Sequence, residues 1–279
     1  MIQINPDITE LDPVEKILRE PVSASRLNLF HSCRLKFYFR YALKLNKPTS
    51  PALHVGKTVH AMLQEWSKQR WLGKPAQSEN LRAHFDDYWE LSLRDDPVSF
   101  EEGEREAEKL KAWQLVEMYL KETPIPMDEK PMGVEVSVET DLSEHGLPNL
   151  RGVIDLVRSN GEIVDFKTSA TTPNEDQVLH RNELQLTAYG LLYRESTGER
   201  EKGFELHHLV KTKTPKLVIT RHAPITQIQQ DKLFRSIESF VDGVQREDWV
   251  RSPGLQCSSC EFFHECRGGA LRERRNRII

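Results

Sequence analysis

The sequence predicts an α/β fold, and three observations carry that expectation. Residues 133–140 alternate Val134, Val136 and Val138 against Glu135, Ser137 and Glu139, the period-two signature of a strand with one buried face. Two further β-rich runs, 151–158 and 162–167, are joined by Ser159-Asn160-Gly161, which has hairpin-loop chemistry and suggests a meander. Helical spacing of apolar residues brackets these strands on both sides.

Ser23 and Ser25 offer N-caps for a helix over 26–45, where Leu27, Phe30, Leu35, Tyr38 and Tyr41 recur at roughly helical spacing and Cys33 lies inside. Pro48 and Pro51 mark a break. A second helix over 53–71 lines up Val55, Val59, Met62, Leu63 and Trp66, with Gly56 and His60 four apart on one face. Residues 80–121 read as amphipathic helices interrupted at Pro97. Beyond the β-rich runs, 175–195 is helical, with Gly198 in the following loop; 204–211 and 216–221 read as strands and 226–245 as a helix. No internal repeat or low-complexity linker divides the chain, so one domain with helical decoration is the simplest organisation.

Composition excludes several classes. At 279 residues, 38% hydrophobic and 29% charged, the chain is neither disordered nor rich in apolar runs near the length of a membrane span. Residues 1–20 lack the basic start and apolar stretch of a secretory signal, so a cytoplasmic location is expected by default. A net charge of −4 and a pI of 6.2 argue against coating nucleic acid through bulk positive charge, so any such contact must be local. Basic residues do crowd at Arg34, Lys36, Arg40 and Lys44, and at Arg267, Arg272, Arg274, Arg275 and Arg277. Solvated faces are the simplest account of both groups.

Asp165 and Lys167 lie two apart on a strand, so both point to one face while Val164 and Phe166 point to the other. A three-residue loop with Gly161 in the left-handed region pairs Arg158 with Glu162 and sets Asp155 opposite Asp165. Two facing carboxylates destabilise a ladder and call for a cation. Oxygen ligands of this kind suit Mg²⁺ or Mn²⁺, which can activate water and polarise a phosphoryl oxygen. On the open face of an antiparallel sheet the same charges would be merely solvated.

Four cysteines in a reducing compartment are poor disulfide candidates. Cys257-x-x-Cys260, Cys266 and the distant Cys33 can ligate either Zn²⁺ or a [4Fe–4S] cluster, and spacing leaves both open.

Asp155, Asp165 and Lys167 together resemble the signature of the PD-(D/E)XK nucleases. Gly56-Lys57-Thr58-Val59-His60 is similar to the G-x-x-x-H helix of the RecB-like branch, and Gln185-Leu186-Thr187-Ala188-Tyr189 to its Q-x-x-x-Y helix. One cysteine near the start and three near the end resemble the iron–sulfur members of that branch, among them CRISPR-associated and exonuclease V type nucleases; Arg34 stands where the family has proline. The resemblance runs from about residue 23 to 267. It implies a mixed central sheet with flanking helices, a restriction-endonuclease-like core, with 69–132 as a helical insertion and 23–45 stapled to 250–279 by the cluster. It implies metal-dependent hydrolysis of DNA, with exonucleolytic action on single strands or ends, in repair, recombination or CRISPR adaptation beside a helicase or another protein partner. His60, Asp155, Asp165 and the Phe166 carbonyl would hold the metal, Lys167 would assist the water, Gln185 and Tyr189 would position substrate, and Glu135 would be a further acid. A catalytically inactive DNA-binding scaffold is the competing expectation. Such domains lose acids or the lysine, and none is missing here.

Overall fold

A computed structural model describes residues 12–74 and 78–268. In chain order the helices α1 (Pro13–Arg19), α2 (Ala24–Ser32), α3 (Arg34–Phe37), α4 (Pro51–Trp71), α5 (Ser78–Asp95) and α6 (Glu104–Glu122) precede the strands β1 (Gly133–Thr140), β2 (Leu150–Val157) and β3 (Glu162–Ser169). Then follow α7 (Glu175–Thr197), β4 (Gly203–Val210), β5 (Lys216–His222), α8 (Gln227–Gln245) and a short α9 (Phe263–Cys266). No helix among the described residues is long and apolar enough to cross a membrane. The chain divides into two compact units. One comprises residues up to Lys47, Asp141–Leu150 and those from Lys232 on; the other comprises Pro48–Thr140 and Arg151–Asp231.

The larger unit is an α/β sandwich around a five-stranded sheet in the order β1-β2-β3-β4-β5. Its first three strands have the order of a meander, but the sheet is mixed: β2 and β3 are antiparallel, β3 and β4 parallel, β4 and β5 antiparallel. Parallel neighbours need a crossover, and α7 supplies it. Strand β4 is buried along its whole length, including Glu205, His207 and His208, as expected of an interior strand next to a parallel neighbour. Helices α4, α5 and α6 share one apolar cluster with the sheet, in which Met62, Trp66, Trp89 and Tyr119 meet Val164, Phe166 and Leu209. Charged groups behind the sheet are paired: Glu205 takes hydrogen bonds from Arg221 Nε (2.8 Å) and lies 3.0 Å from His207 Nε2, whose Nδ1 is 2.9 Å from Tyr119 Oη.

The smaller unit packs α2, α3 and α8 through Phe30, Phe37 and Phe240, whose rings meet edge to face at 5.1–5.5 Å. A Cβ on Gly243 would come within 2.5 Å of Phe30 Cζ, so glycine sets this close approach. The continuous helix expected over 26–45 is broken. Cys33 adopts φ −165°, ψ 105°, and the chain then runs through α3 into a π-helical turn at Tyr38–Ala42. The break costs little backbone bonding, because Cys33 N still donates to the Leu29 carbonyl and its own carbonyl accepts from Phe37 N, both at 3.0 Å. Cys33 therefore lies between two helices instead of inside one. Most of the basic run beside it is neutralised within this unit: Lys36 and Arg40 pair with Glu261 and Arg34 with Asp248, and nearby Lys47 pairs with Glu265. Arg272, Arg274, Arg275 and Arg277 lie outside the described residues.

Candidate active site

The catalytic candidates all sit in the larger unit. Helix α4 opens at Ser50, whose hydroxyl accepts from Leu53 N, with Pro51 in its first turn. Gly56 follows because α4 crosses β3 closely there; a Cβ would stand 3.1 Å from Thr168 Oγ1. One turn on, His60 reaches Asp155, with Nδ1 3.5 Å from Oδ2, and its ring stands edge-on to Phe166.

The β2–β3 loop has the anticipated form. Gly161 has φ +84°, its N donates to the Arg158 carbonyl at 3.0 Å, and Arg158 N donates to the Glu162 carbonyl at 2.9 Å. Pairing runs through Val157↔Ile163 and Leu156↔Val164, which by count brings Asp155 opposite Asp165. The ladder stops there. Phe166 N, which would next bond the strand backbone, donates instead to Asp155 Oδ2 at 2.9 Å. The carboxylate thus terminates the pairing and is held against the strand that carries Asp165 and Lys167.

Asp165 is 2% exposed. Its Oδ1 accepts from Gln185 Nε2 at 2.7 Å, and Gln185 Oε1 accepts from Lys167 Nζ at 2.8 Å. The ammonium fixes which end of the amide is which, since only an oxygen can accept from it. Gln185 Nε2 also lies 2.9 Å from Tyr189 Oη. Helix α7 can come this near β2 because Gly152 lacks a side chain; a Cβ there would meet Leu192 Cδ1 at 2.7 Å and Tyr189 Cε1 at 3.3 Å. Two short motifs far apart in sequence are thereby one packing unit. Helical spacing leaves Gln185 and Tyr189 free to bond either a phosphate or the lysine; Gln185 bonds the lysine and, in addition, the acid Asp165.

Burial, and then the negative charge of Asp165, push the Asp155 carboxyl well above the usual aspartate range, against the opposing pull of Phe166 N–H and Lys167. Burial likewise lowers His60, which keeps its imidazole neutral and able to donate a lone pair. Glu135 lines the same cleft, of about 500 Å³, with His60, Phe166, Lys167 and Thr168. Desolvation raises its carboxyl, and its backbone is left-handed at φ +51°, a strained conformation for a glutamate on a strand. His208, absent from the sequence reading, is the parallel neighbour of Lys167 and is 5% exposed. No local pattern could have found it, because its neighbour is set by the α7 crossover.

A divalent cation fits this patch in its chemistry. Asp165 Oδ2 is buried and makes no hydrogen bond, although Lys167 Nζ is 2.8 Å away, and a cation here would stabilise the ionised form of Asp155 that burial and Asp165 disfavour. Among the described residues, no three His, Cys, Asp or Glu side chains stand together as a ready-made metal cage. Mg²⁺ needs none, since it retains several waters and takes one or two carboxylates.

In the smaller unit Cys33, Cys257, Cys260 and Cys266, none in a disulfide, line one cavity of about 340 Å³ with Phe39 and Phe262. The model of the PD-(D/E)XK nuclease superfamily matches residues 21–267. The chain belongs to that superfamily. PD-(D/E)XK nucleases use divalent metals generally, consistent with the carboxylate patch. The fold is similar to that of a crystal structure from Eubacterium rectale described as a "putative exonuclease", with a TM-score of 0.59 at 15% identity over 93% of each chain. A second solved structure, SSO0001, aligns at 13% identity with a TM-score of 0.36, over 82% of this chain and 92% of that one. No curated protein matches the chain.

Proposed function

We propose that this PD-(D/E)XK protein is a metal-dependent deoxyribonuclease that hydrolyses phosphodiester bonds, acting as an exonuclease on single-stranded or end-containing DNA. The observation that carries this reading is the bonded set Asp165–Gln185–Lys167 held against Asp155 on the adjoining strand. A nuclease that had drifted into a scaffold would have no reason to keep that set complete.

Asp155 and Asp165 would hold Mg²⁺ or Mn²⁺, with His60 and the Phe166 carbonyl completing the protein's share. The bound ion would supply Lewis acidity toward the phosphoryl oxygen and lower the pKa of the attacking water. Lys167, anchored by Gln185, faces the same cleft and can orient that water or offset charge growing on the phosphate. Tyr189 steadies Gln185, so the Q-x-x-x-Y helix acts on the catalytic pair before it acts on substrate. Glu135 adds a third carboxyl at the cleft wall.

The four cysteines would hold a [4Fe–4S] cluster, placing the chain in the RecB-like iron–sulfur branch, with 23–45 and the segment from 250 on as its staple. The thiols come as one from the N-terminal segment, Cys33, and three from the C-terminal segment, Cys257, Cys260 and Cys266, and all four line one cavity. That one-plus-three split supports the cluster over a zinc ribbon, which takes its ligands as two local pairs. The deciding experiment is cleavage of end-labelled single- and double-stranded DNA with Mg²⁺, Mn²⁺ or EDTA. Metal-dependent release of nucleotides from an end is expected; no cleavage of any substrate would leave only the scaffold.

A further inference from the structure

A second, differently built groove opens at the same end of the parallel pair β3 and β4 as the active cleft. Thr168, which closes the cleft, is the parallel neighbour of Leu209, and Ser169 is that of Val210. Immediately beyond Val210 the chain turns through Lys211-Thr212-Lys213-Thr214-Pro215 into β5. Lys211 N donates to the Ser169 carbonyl at 2.8 Å, so this turn is tied to the end of the strand that carries Asp165 and Lys167. Thr212 Oγ1 donates to the Thr214 carbonyl at 2.6 Å, which braces the turn internally. Facing it is the N-terminal half of α6. Between them lies a groove of about 300 Å³ lined by Leu110, Lys111, Gln114, Lys211, Thr212 and Lys213.

The groove carries cations that are not spent on acids. Most of the unit's helix-surface cations are spent on acids: Lys57 on Asp96, Arg82 on Asp86, Arg105 on Glu90, and Lys111 itself on Glu108. Lys211 and Lys213 have no carboxylate partner among the described residues, and Lys216 stands exposed at the start of β5. Leu110, 56% exposed, gives the opposite wall an apolar surface. Unpaired ammonium groups facing an apolar wall suit a chain that alternates phosphate and base. In open sheets with parallel strands, ligands lie outside the carboxyl ends of those strands, which is where both the cleft and this groove open.

We infer that the groove between α6 and the β4–β5 turn is a subsite for the DNA strand running on from the active site, with Lys211 and Lys213 on its phosphates and Leu110 under a base. The inference rests on the nuclease reading and names where its substrate goes. It needs no sequence readout, because phosphate contacts position a strand without reading it.

The test measures equilibrium binding of a fluorescent 20-nucleotide single strand to the full chain across a salt series, alongside cleavage of the same strand with Mg²⁺. Lys211→Gln/Lys213→Gln is compared with wild type and with Lys202→Gln at the opposite end of β4. Each phosphate contact on a single strand contributes roughly 0.7 to the slope of log K against log salt. The double variant should therefore lose about 1.4 of that slope and bind more weakly at low salt, at an unchanged melting temperature, while Lys202→Gln matches wild type. Leu110→Ala should weaken binding without altering the slope. An unaltered slope in a double variant that still cleaves overturns the subsite and leaves the nuclease reading intact. A reduced slope in a protein that cleaves nothing supports the subsite and overturns the nuclease reading, and a wild type that neither binds nor cleaves overturns both.

Discussion

The carboxylate patch and the cysteine cavity, the two places proposed to receive metal, are opposite kinds of site. The patch is polar and already bonded: Asp155 on a backbone N–H, Asp165 and Lys167 on one glutamine. The cavity is walled by Phe39 and Phe262, and none of its four thiols is in a disulfide. A hard cation replaces part of an existing hydrogen-bond network, so the patch can fold without it. A thiolate cluster has no such substitute, and its binding free energy is largely folding free energy. Even so, ion pairs such as Lys36–Glu261 and Lys47–Glu265 join the same N- and C-terminal segments. At about 0–1 kcal/mol each, they would supplement the proposed cluster and not replace it.

The sharpest way to break this contrast is Asp165→Ala. Cleavage should fall by roughly a hundredfold or more, while the melting temperature changes little, because relief of the like charge facing Asp155 offsets the lost contacts to Gln185 and Lys167. Unfolding of this variant would show that the patch is structural. Cys257→Ser should behave in the reverse manner, losing iron from anaerobically purified protein and lowering the melting temperature and DNA binding together. An iron-free variant as stable as wild type would erase the difference between the two sites.

Gly152→Ala probes the packing that joins the carboxylate patch to the fold. The added methyl must displace Leu192 or Tyr189, which should destabilise by about 1–3 kcal/mol and slow cleavage through the Tyr189–Gln185 link. Slower cleavage with an unchanged Gln185 environment, read from its side-chain amide resonances, would sever that link.

The smallest effect is a pH dependence. Asp155 has a raised carboxyl in the folded state, so the folded protein holds its proton more tightly than the unfolded chain. Stability of the metal-free protein should therefore decline as pH rises from the ordinary aspartate range, near about 4, through the elevated range of Asp155, and level off above it. Asp155→Asn should flatten this trend, and saturating Mg²⁺ should do the same. Thermal melts across pH with EDTA or Mg²⁺ would reveal it; a decline that survives Asp155→Asn assigns it to another group.

Local signals located much of this molecule. Period-two alternation placed β1, the Ser159-Asn160-Gly161 loop fixed the register that sets Asp155 against Asp165, and prolines and caps bounded α4 to within two residues. These are short-range consequences of backbone sterics and hydrogen bonding, so neighbouring residues suffice to show them. The break at Cys33 was not legible, because the helical spacing of Leu27, Phe30 and Leu35 continues across it. Nor was the parallel pairing of β3 with β4, which sets His208 beside Lys167 and the Lys211 turn at the edge of the cleft; it depends on how α7 crosses over the sheet. Sequence by itself determined which residues carry charge and which strands hold them. Tertiary structure alone decided that one glutamine joins the acid to the lysine, because that contact requires α7 to lie against Gly152 at a distance no local pattern encodes.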